Sequence, residues 1–332
     1  MDISASTGCD DRQTPAACSR FQVLCLDGGG AKGLFSATVL AQFEEDNGIR
    51  ITDHFDLIAG TSTGGIIALA LAAGLSPQEI VDHYTSLIDA VFPASRRRMK
   101  IWQLVHSKYG SDNLRLALVG ILGDKTLFDS IKPLVIPTWD LQNNEVHIFK
   151  TRHHDRLRRD YRVPMVDVAM ATSAAPTFFP AAQVDKQRLI DGGVWANDPS
   201  VVGITEAVST FGVPLSAIRM LSIGTTEEMA TNPKRLDCGG LIQWAPRFIS
   251  LMMDATASGG QSIARHLIGD ENYLRVNVTV PKGTYSMDAV DQAALTGNAS
   301  SVSRNFGPQF MSMFGGHNVA PFIPIPPPEG RP

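Results

Sequence analysis

The sequence predicts an α/β fold, with a central, largely parallel sheet layered between helices. Three observations predict it. From Phe21 onward, short apolar runs suited to buried strands alternate with helical stretches. Two of those runs end in glycine-rich turns that lead directly into a helix, at Asp27-Gly28-Gly29-Gly30 and at Gly60-Thr61-Ser62-Thr63-Gly64. The chain has 332 residues, 44% of them hydrophobic, enough to bury a sizeable core. Strand and helix in alternation indicate a parallel sheet, because parallel neighbours need a crossover connection.

The elements follow in order. Residues 1–19 are rich in Ser, Thr, Asp, Ala and Cys without periodicity, which predicts a flexible arm. Phe21 to Leu26 reads as a buried strand, and an amphipathic stretch runs from Gly33 to Glu45. Phe55 to Ala59 is the next strand, ending at Ser62 and leading into a helix through Ala73. Ser76-Pro77-Gln78-Glu79 opens a helix with a capping box and a proline at its first position. Residues 92–113 are basic and irregular. Glu145 to Phe149 reads as a strand, and Asp167 to Ala175 as a helix stopped by Pro176. Arg188 to Ile190 is a short strand ending at Asp191-Gly192-Gly193. Pro199 opens another helix, and Ile218 to Ile223 is another buried strand. Beyond Gly224 the pattern is helical around 240–268 and 287–296, with a strand near Tyr273 to Val278. Pro321 to Pro332 is Pro-rich and reads as an extended arm. No linker or repeat divides the chain. One domain is expected over 20–318, with an arm at 1–19 and a tail at 319–332.

The net charge of -4 gives no global pull toward DNA, RNA or anionic lipid. Four cysteines without CxxC or metal spacing predict a reducing compartment and no metal centre. The N-terminus lacks the basic and apolar regions of a signal peptide. Ile66 to Ala73 is far shorter than the ~20 apolar residues that span a bilayer. A cytoplasmic protein with at most peripheral membrane contact is expected.

Ser62 has the setting of a nucleophile elbow. Its flanking residues Gly60 and Gly64 allow a sharp turn from strand to helix, which leaves the hydroxyl at a helix N-terminus. The loop Gly28, Gly29 and Gly30 can present backbone N–H groups to an oxyanion, with help from Thr63 and added positive charge from Lys32. Rival readings are phosphate binding and a plain turn. The Walker spacing is absent. The dinucleotide spacing can be laid on Gly28, Gly30 and Gly33, but no acidic strand end follows. A base for Ser62 has two sources. His266 and His317 come late enough for a Ser-Asp-His order, yet one falls in a helical stretch and the other borders the tail. Asp191 ends a strand before two glycines and can take the proton directly, or can serve only as a turn residue.

Taken together, Asp27 to Gly33, Gly60 to Gly64 and Asp191-Gly192-Gly193 resemble the patatin-like phospholipase family. Ala171-Thr172-Ser173-Ala174-Ala175-Pro176, followed by Phe178-Phe179-Pro180, is similar to the segment that precedes the family's aspartate. The resemblance covers residues 20–225 and is loose beyond them. It implies a three-layer α/β/α fold with a mostly parallel sheet. It also implies a Ser–Asp dyad without a catalytic histidine: Ser62 as nucleophile, Asp191 as base, Gly28 to Gly30 as oxyanion hole, Lys32 at the loop's basic position. Gly192 and Gly193 complete the third motif. The implied reaction is hydrolysis of membrane phospholipid esters through an acyl-enzyme, with no metal or cofactor.

Lys150-Thr151-Arg152-His153-His154, with Arg159-Asp160-Tyr161 after it, is similar to compact bacterial members of the family. Those act as antiphage effectors switched on by a cyclic dinucleotide. Arg152, Arg156, Arg158 and Arg159, or Arg96 to Arg98, are then candidates for its phosphates. The same arginines also fit solvated loops or anionic headgroups. Phe92, Met99, Trp102, Phe178 and Phe179 are candidates for an apolar entrance. Two other readings stay open: an esterase with a Ser-His-Asp triad, and a nucleotide-sensing protein with a non-catalytic hydrolase fold.

Overall fold

A computed structural model describes residues 20–93, 107–229 and 236–326. The expected arm at 1–19, together with Arg96 to Arg98, Met99 and Trp102, lies outside the described residues.

The centre of the fold is β1 (Phe21–Leu26), buried at every position. On one side it pairs in parallel with β2 (Leu57–Gly60), on the other with β7 (Ile218–Ile223). Beyond β7 lies β9 (Tyr273–Val276), and beyond β2 lies β3 (Leu134–Asp140), both parallel. Three antiparallel strands complete the eight-stranded sheet: β4 (Glu145–Lys150), β5 (Ala182–Val184) and β6 (Gln187–Asp191). The sheet is thus mixed, parallel through its middle and antiparallel at the β3 end. A small separate sheet pairs β8 (Glu227–Glu228) with β10 (Thr279–Val280).

Alternation along β1 builds the layers. Leu24 and Leu26 enter one hydrophobic cluster, while Phe21, Val23 and Cys25 enter another. Successive strand side chains point to opposite faces, so both faces of the sheet are covered. The larger cluster takes up α1 (Gly33–Asn47), α2 (Thr63–Ala72), α3 (Pro77–Val91), α4 (Asp112–Leu122), α5 (Met165–Thr172) and α9 (Gln292–Phe314). The smaller takes up α7 (Ser200–Ser209) and α8 (Leu241–Ile268). The short α6 (Gly193–Ala196) follows β6 directly. All ten residues of α2 are buried, as befits a helix apolar on every side. The capping box at Ser76 and Glu79 forms as its sequence predicts.

Several boundaries differ from expectation. The strand near Tyr273 stops at Val276, and the last helix starts at Gln292 and runs on to Phe314. Of the basic region expected to be irregular over 92–113, only Asp112 and Asn113 are helical among the described residues, opening α4, whose Leu114, Leu118 and Leu122 face the core. The described part of the Pro-rich tail has neither helix nor strand. Val319 N donates to Asp53 O at 2.8 Å and Ile325 N to Arg152 O at 2.9 Å.

The position of β3 decides where the functional motifs meet. One of its edges is occupied by β4 throughout. The other is shared. Its first residues pair with β2 (Ala59 beside Val135), and its last pair with β6 (Asp191 beside Thr138). Because β2 runs parallel to β3 and β6 antiparallel, their C-terminal ends approach head-on. Pro137 falls in the gap between them. Its carbonyl points there and accepts from Thr172 Oγ1 at 2.8 Å. A strand residue's N–H and C=O point to the same side, so the missing donor of Pro137 faces no ladder partner.

Candidate active site

Ser62 lies between β2 and α2 with φ 54° and ψ -121°. That backbone is costly for a residue with a side chain, so its surroundings must hold it. Ser62 N donates to Thr172 Oγ1 at 3.0 Å, and Thr172 in turn is anchored on Pro137. The elbow is thereby tied to α5 and β3.

Asp191, the last residue of β6, arrives from the opposite direction. Ser62 Oγ donates to its Oδ2 at 2.6 Å, and Gly193 N donates to its Oδ1 at 2.7 Å. Asp191 N is fixed on Ala174 O at 3.1 Å. Both side chains are buried, at 4% and 1% exposure. Burial pushes the Asp191 carboxyl up to about 6, against the opposing hydrogen bonds from Ser62 and Gly193. A carboxylate of that strength, in hydrogen-bond contact with a hydroxyl, can accept its proton near neutral pH.

The glycine loop borders this pair. A Cβ on Gly28 would stand 3.2 Å from Ser62 Cβ and 2.4 Å from Asn197 Oδ1. Gly30 has φ +60°, and a Cβ there would meet Met287 O at 2.2 Å. The loop's donors are not equivalent, and this corrects the expectation for Gly28. Gly28 N already donates to Asn197 O at 3.0 Å. Among the described residues, the amides of Gly29, Gly30 and Thr63 have no protein partner and are the ones able to receive an oxyanion. Lys32 is less direct than expected. Its Nζ reaches Thr226 O at 3.4 Å, and burial lowers its pKa.

An apolar cavity opens beside Ser62, lined by Ile66, Leu87, Phe92, Phe178, Phe179 and Met287. It measures about 30 Å³, room for about two waters and too little for a fatty acyl chain. Tyr84 closes its polar end, donating to Gly30 O at 2.8 Å and contacting Thr63 Oγ1.

Neither late histidine joins the pair. His266 is exposed on α8 and bonds Ser262 O at 2.7 Å. His317 bonds Asp56 Oδ2 at 2.8 Å, before β2 rather than after it. Among the described residues, no histidine hydrogen-bonds Ser62 or Asp191.

The four candidate ligand arginines separate into two environments. Arg152 is buried, 5.3 Å over the Tyr161 ring, and its carbonyl holds the tail. It is therefore not a surface cation as expected. Arg156, Arg158 and Arg159 are exposed, although Arg156 Nη2 bonds Thr210 Oγ1 at 2.6 Å. His153 stacks on Phe211 and bonds Glu206 at 2.9 Å. Burial pushes Glu206 up, but hydrogen bonds from His153, Lys150 and Thr210 outweigh it and hold the carboxyl at about 2. These residues therefore have a structural task.

Sequence reading passes over Tyr84, Asn197 and Met287. Asn197 is 9% exposed and its Oδ1 has no hydrogen-bond partner. The only signal was its place six residues after Asp191.

Residues 24–202 match the model of the family described as patatin-like phospholipase. A cGAMP-activated phospholipase of Pseudomonas aeruginosa is 34% identical over 283 residues, covering 83% of this chain and 84% of that protein. One of Vibrio cholerae is 32% identical over 321 residues, covering 86% of this chain and 89% of that protein. Patatin-like protein 4 of Arabidopsis thaliana is 35% identical over 205 residues, covering 55% of this chain and 51% of that protein. By motif order, by fold and by these similarities, the chain is an enzyme of the patatin-like phospholipase family.

Proposed function

We propose that the protein hydrolyses fatty acyl esters of membrane phospholipids with Ser62 and Asp191 alone, and that a cyclic dinucleotide switches it on in antiphage defence. The observation that carries the first half is the 2.6 Å bond from Ser62 Oγ to Asp191 Oδ2. Asp191 takes the hydroxyl proton as Ser62 Oγ attacks the ester carbonyl. Negative charge moves to the carbonyl oxygen, where the amides of Gly29, Gly30 and Thr63 receive it. Collapse expels the lysophospholipid alkoxide, which takes the proton back from Asp191. Water then attacks the acyl-enzyme, again losing its proton to Asp191, and the fatty acid leaves as Ser62 is restored.

The second half is supported by the similarity to cGAMP-activated phospholipases along most of the chain. The narrow cavity agrees with a resting state that must open before an acyl chain enters. Among the described residues no helix is long and apolar enough to cross a membrane. The enzyme in this reading meets lipid peripherally, at the inner leaflet.

The test is fatty acid release from vesicles of phosphatidylethanolamine and phosphatidylglycerol, with and without cGAMP and other cyclic dinucleotides. Release stimulated by one nucleotide and abolished by Ser62→Ala is expected. Release that survives Ser62→Ala would overturn the dyad. Release that no nucleotide stimulates would overturn the switch and leave the hydrolase.

A further inference from the structure

We propose that Arg275 is a positioning residue for acyl transfer, holding the oxyanion loop in register with the segment that follows Asp191. The inference rests on Ser62 as nucleophile and the loop amides as oxyanion donors. Arg275 is on β9, outside the segment that matches the family. Its guanidinium grips Asp27 with both arms, Nη1 to Oδ1 at 3.0 Å and Nη2 to Oδ2 at 2.6 Å. Nη1 also reaches Ser222 Oγ at 2.7 Å and Asp198 Oδ2 at 3.3 Å. A planar fork on a carboxylate fixes direction as well as distance.

Arg275 Nη2 also lies 3.6 Å from the exposed Glu227, but the two buried carboxylates it joins belong to the two loops that must meet. Asp27 directly precedes Gly28. Asp198 directly follows Asn197, whose carbonyl receives the Gly28 amide. Asp198 also accepts Ser200 N at 2.7 Å, which fixes the start of α7. Arg275 therefore links the root of the oxyanion loop to the end of the stretch that begins at Asp191. Other bonds hold the loop beyond that root. Thr225 Oγ1 donates to Gly28 O at 3.1 Å, and Ala31 N donates to Met287 O at 2.7 Å. Lys32 N donates to Gly29 O at 3.3 Å, and Gly30 O accepts from Tyr84 at 2.8 Å and Thr63 Oγ1 at 2.9 Å, so these bonds hold the body of the loop while Arg275 holds its root.

Charge burial supports the same reading. Asp27 and Asp198 are 3% and 2% exposed. Buried ion clusters are often no more stable than apolar packing of the same shape, so a gain in stability is a weak reason for one here. Placement of donors is a better reason. An error of ~1 Å at a reacting centre can cost about 10²-fold in rate.

The experiment compares Arg275→Met, Arg275→Lys and the pair Arg275→Met with Asp27→Asn. It reads hydrolysis of a soluble acyl ester, Ser62 labelling by a fluorophosphonate, and the melting temperature. Arg275→Met is expected to lower kcat by about 10²-fold, slow labelling in parallel, and leave KM within about threefold. Arg275→Lys should recover part of kcat, because one ammonium still holds one carboxylate oxygen. The double variant should recover part of the melting temperature, because Asp27 is then neutral while the buried Asp198 still lacks its cation, but not kcat. Recovery of kcat in the double variant, or a loss confined to KM, would overturn the proposal. If Arg275→Met does not fold, Arg275→Lys and the double variant decide, and no kcat deficit in either would sink it. Activity that persists in Ser62→Ala would instead mean that the nucleophile is misassigned, whatever Arg275 does.

Discussion

Ser62 and Asp191 meet because two strands approach each other along one edge of a third. β2 carries the serine to the end of its pairing with β3, and β6 carries the aspartate to the same place from the other direction. The 2.6 Å bond between them is thus a consequence of sheet register. Their contact needs no histidine to bridge a gap, and it leaves the carboxylate buried.

That burial predicts opposite effects of one substitution on activity and stability. Asp191→Asn keeps the shape and the acceptor for Gly193 N but removes the proposed base. Hydrolysis should fall by about 10³-fold or more. Burial raises the folded-state pKa from 3.8 to about 6, so the folded protein binds the proton more tightly than the unfolded chain. Stability is therefore lost as pH rises through that window, by roughly 3 kcal/mol at most. Asp191→Asn avoids the loss. In urea unfolding it should be more stable than the parent at pH 8, with the difference gone at pH 3.

In the proposed mechanism the same carboxyl sets the pH dependence of the rate. Only ionised Asp191 can accept the Ser62 proton, so kcat/KM should fall tenfold per pH unit below about 6. His266→Ala and His317→Ala should leave that limb in place and the rate within about threefold, since an uninvolved side chain contributes no transition-state term. Movement of the limb in either variant would show that a histidine shares the proton.

The legible parts of the site were those where glycine and a polar residue sit at a strand end. Asp27 to Gly30, Gly60 to Gly64 and Asp191 to Gly193 all announce turns that a side chain would obstruct, and all border the site. β3 was passed over although it brings the second and third of them together, because Pro137 disguises a strand whose missing donor faces a gap. Arg152 was misread as a surface cation because its sequence neighbours are basic, whereas Tyr161 and the tail bury it. Arg275, Tyr84 and Met287 left no local signal. They matter through contacts of Arg275 with Asp27, Tyr84 with Gly30 and Met287 with Ala31, 54 to 256 positions apart, which only the fold creates.

Tyr84 tests how far the oxyanion loop depends on its polar neighbours. Its hydroxyl donates to Gly30 O, which Thr63 Oγ1 also reaches at 2.9 Å. Tyr84→Phe leaves that second donor in place. A stability loss of about 1 kcal/mol in chemical unfolding and a kcat reduction of about threefold are expected. Simultaneous loss of the Thr63 hydroxyl, in Tyr84→Phe with Thr63→Val, should cost more than the two single changes together, because Gly30 O then lacks both donors.

The cavity beside Ser62 predicts a chain-length effect of either sign. Leu87 and Phe179 both line it, one buried on α3 and the other half-buried after α5. Leu87→Trp adds a ring where about 30 Å³ is free. Short acyl esters should still be cleaved, while long-chain esters lose at least about tenfold, the scale of ~1.4 kcal/mol in transition-state binding. Phe179→Ala removes a ring that faces Phe92 at 6.1 Å. It should raise the nucleotide-independent hydrolysis of long-chain lipid, because part of the opening is then built in. Rates on butanoyl and hexadecanoyl esters, measured with and without cGAMP, check both. Equal effects on the two chain lengths would mean that this cavity does not receive the acyl chain.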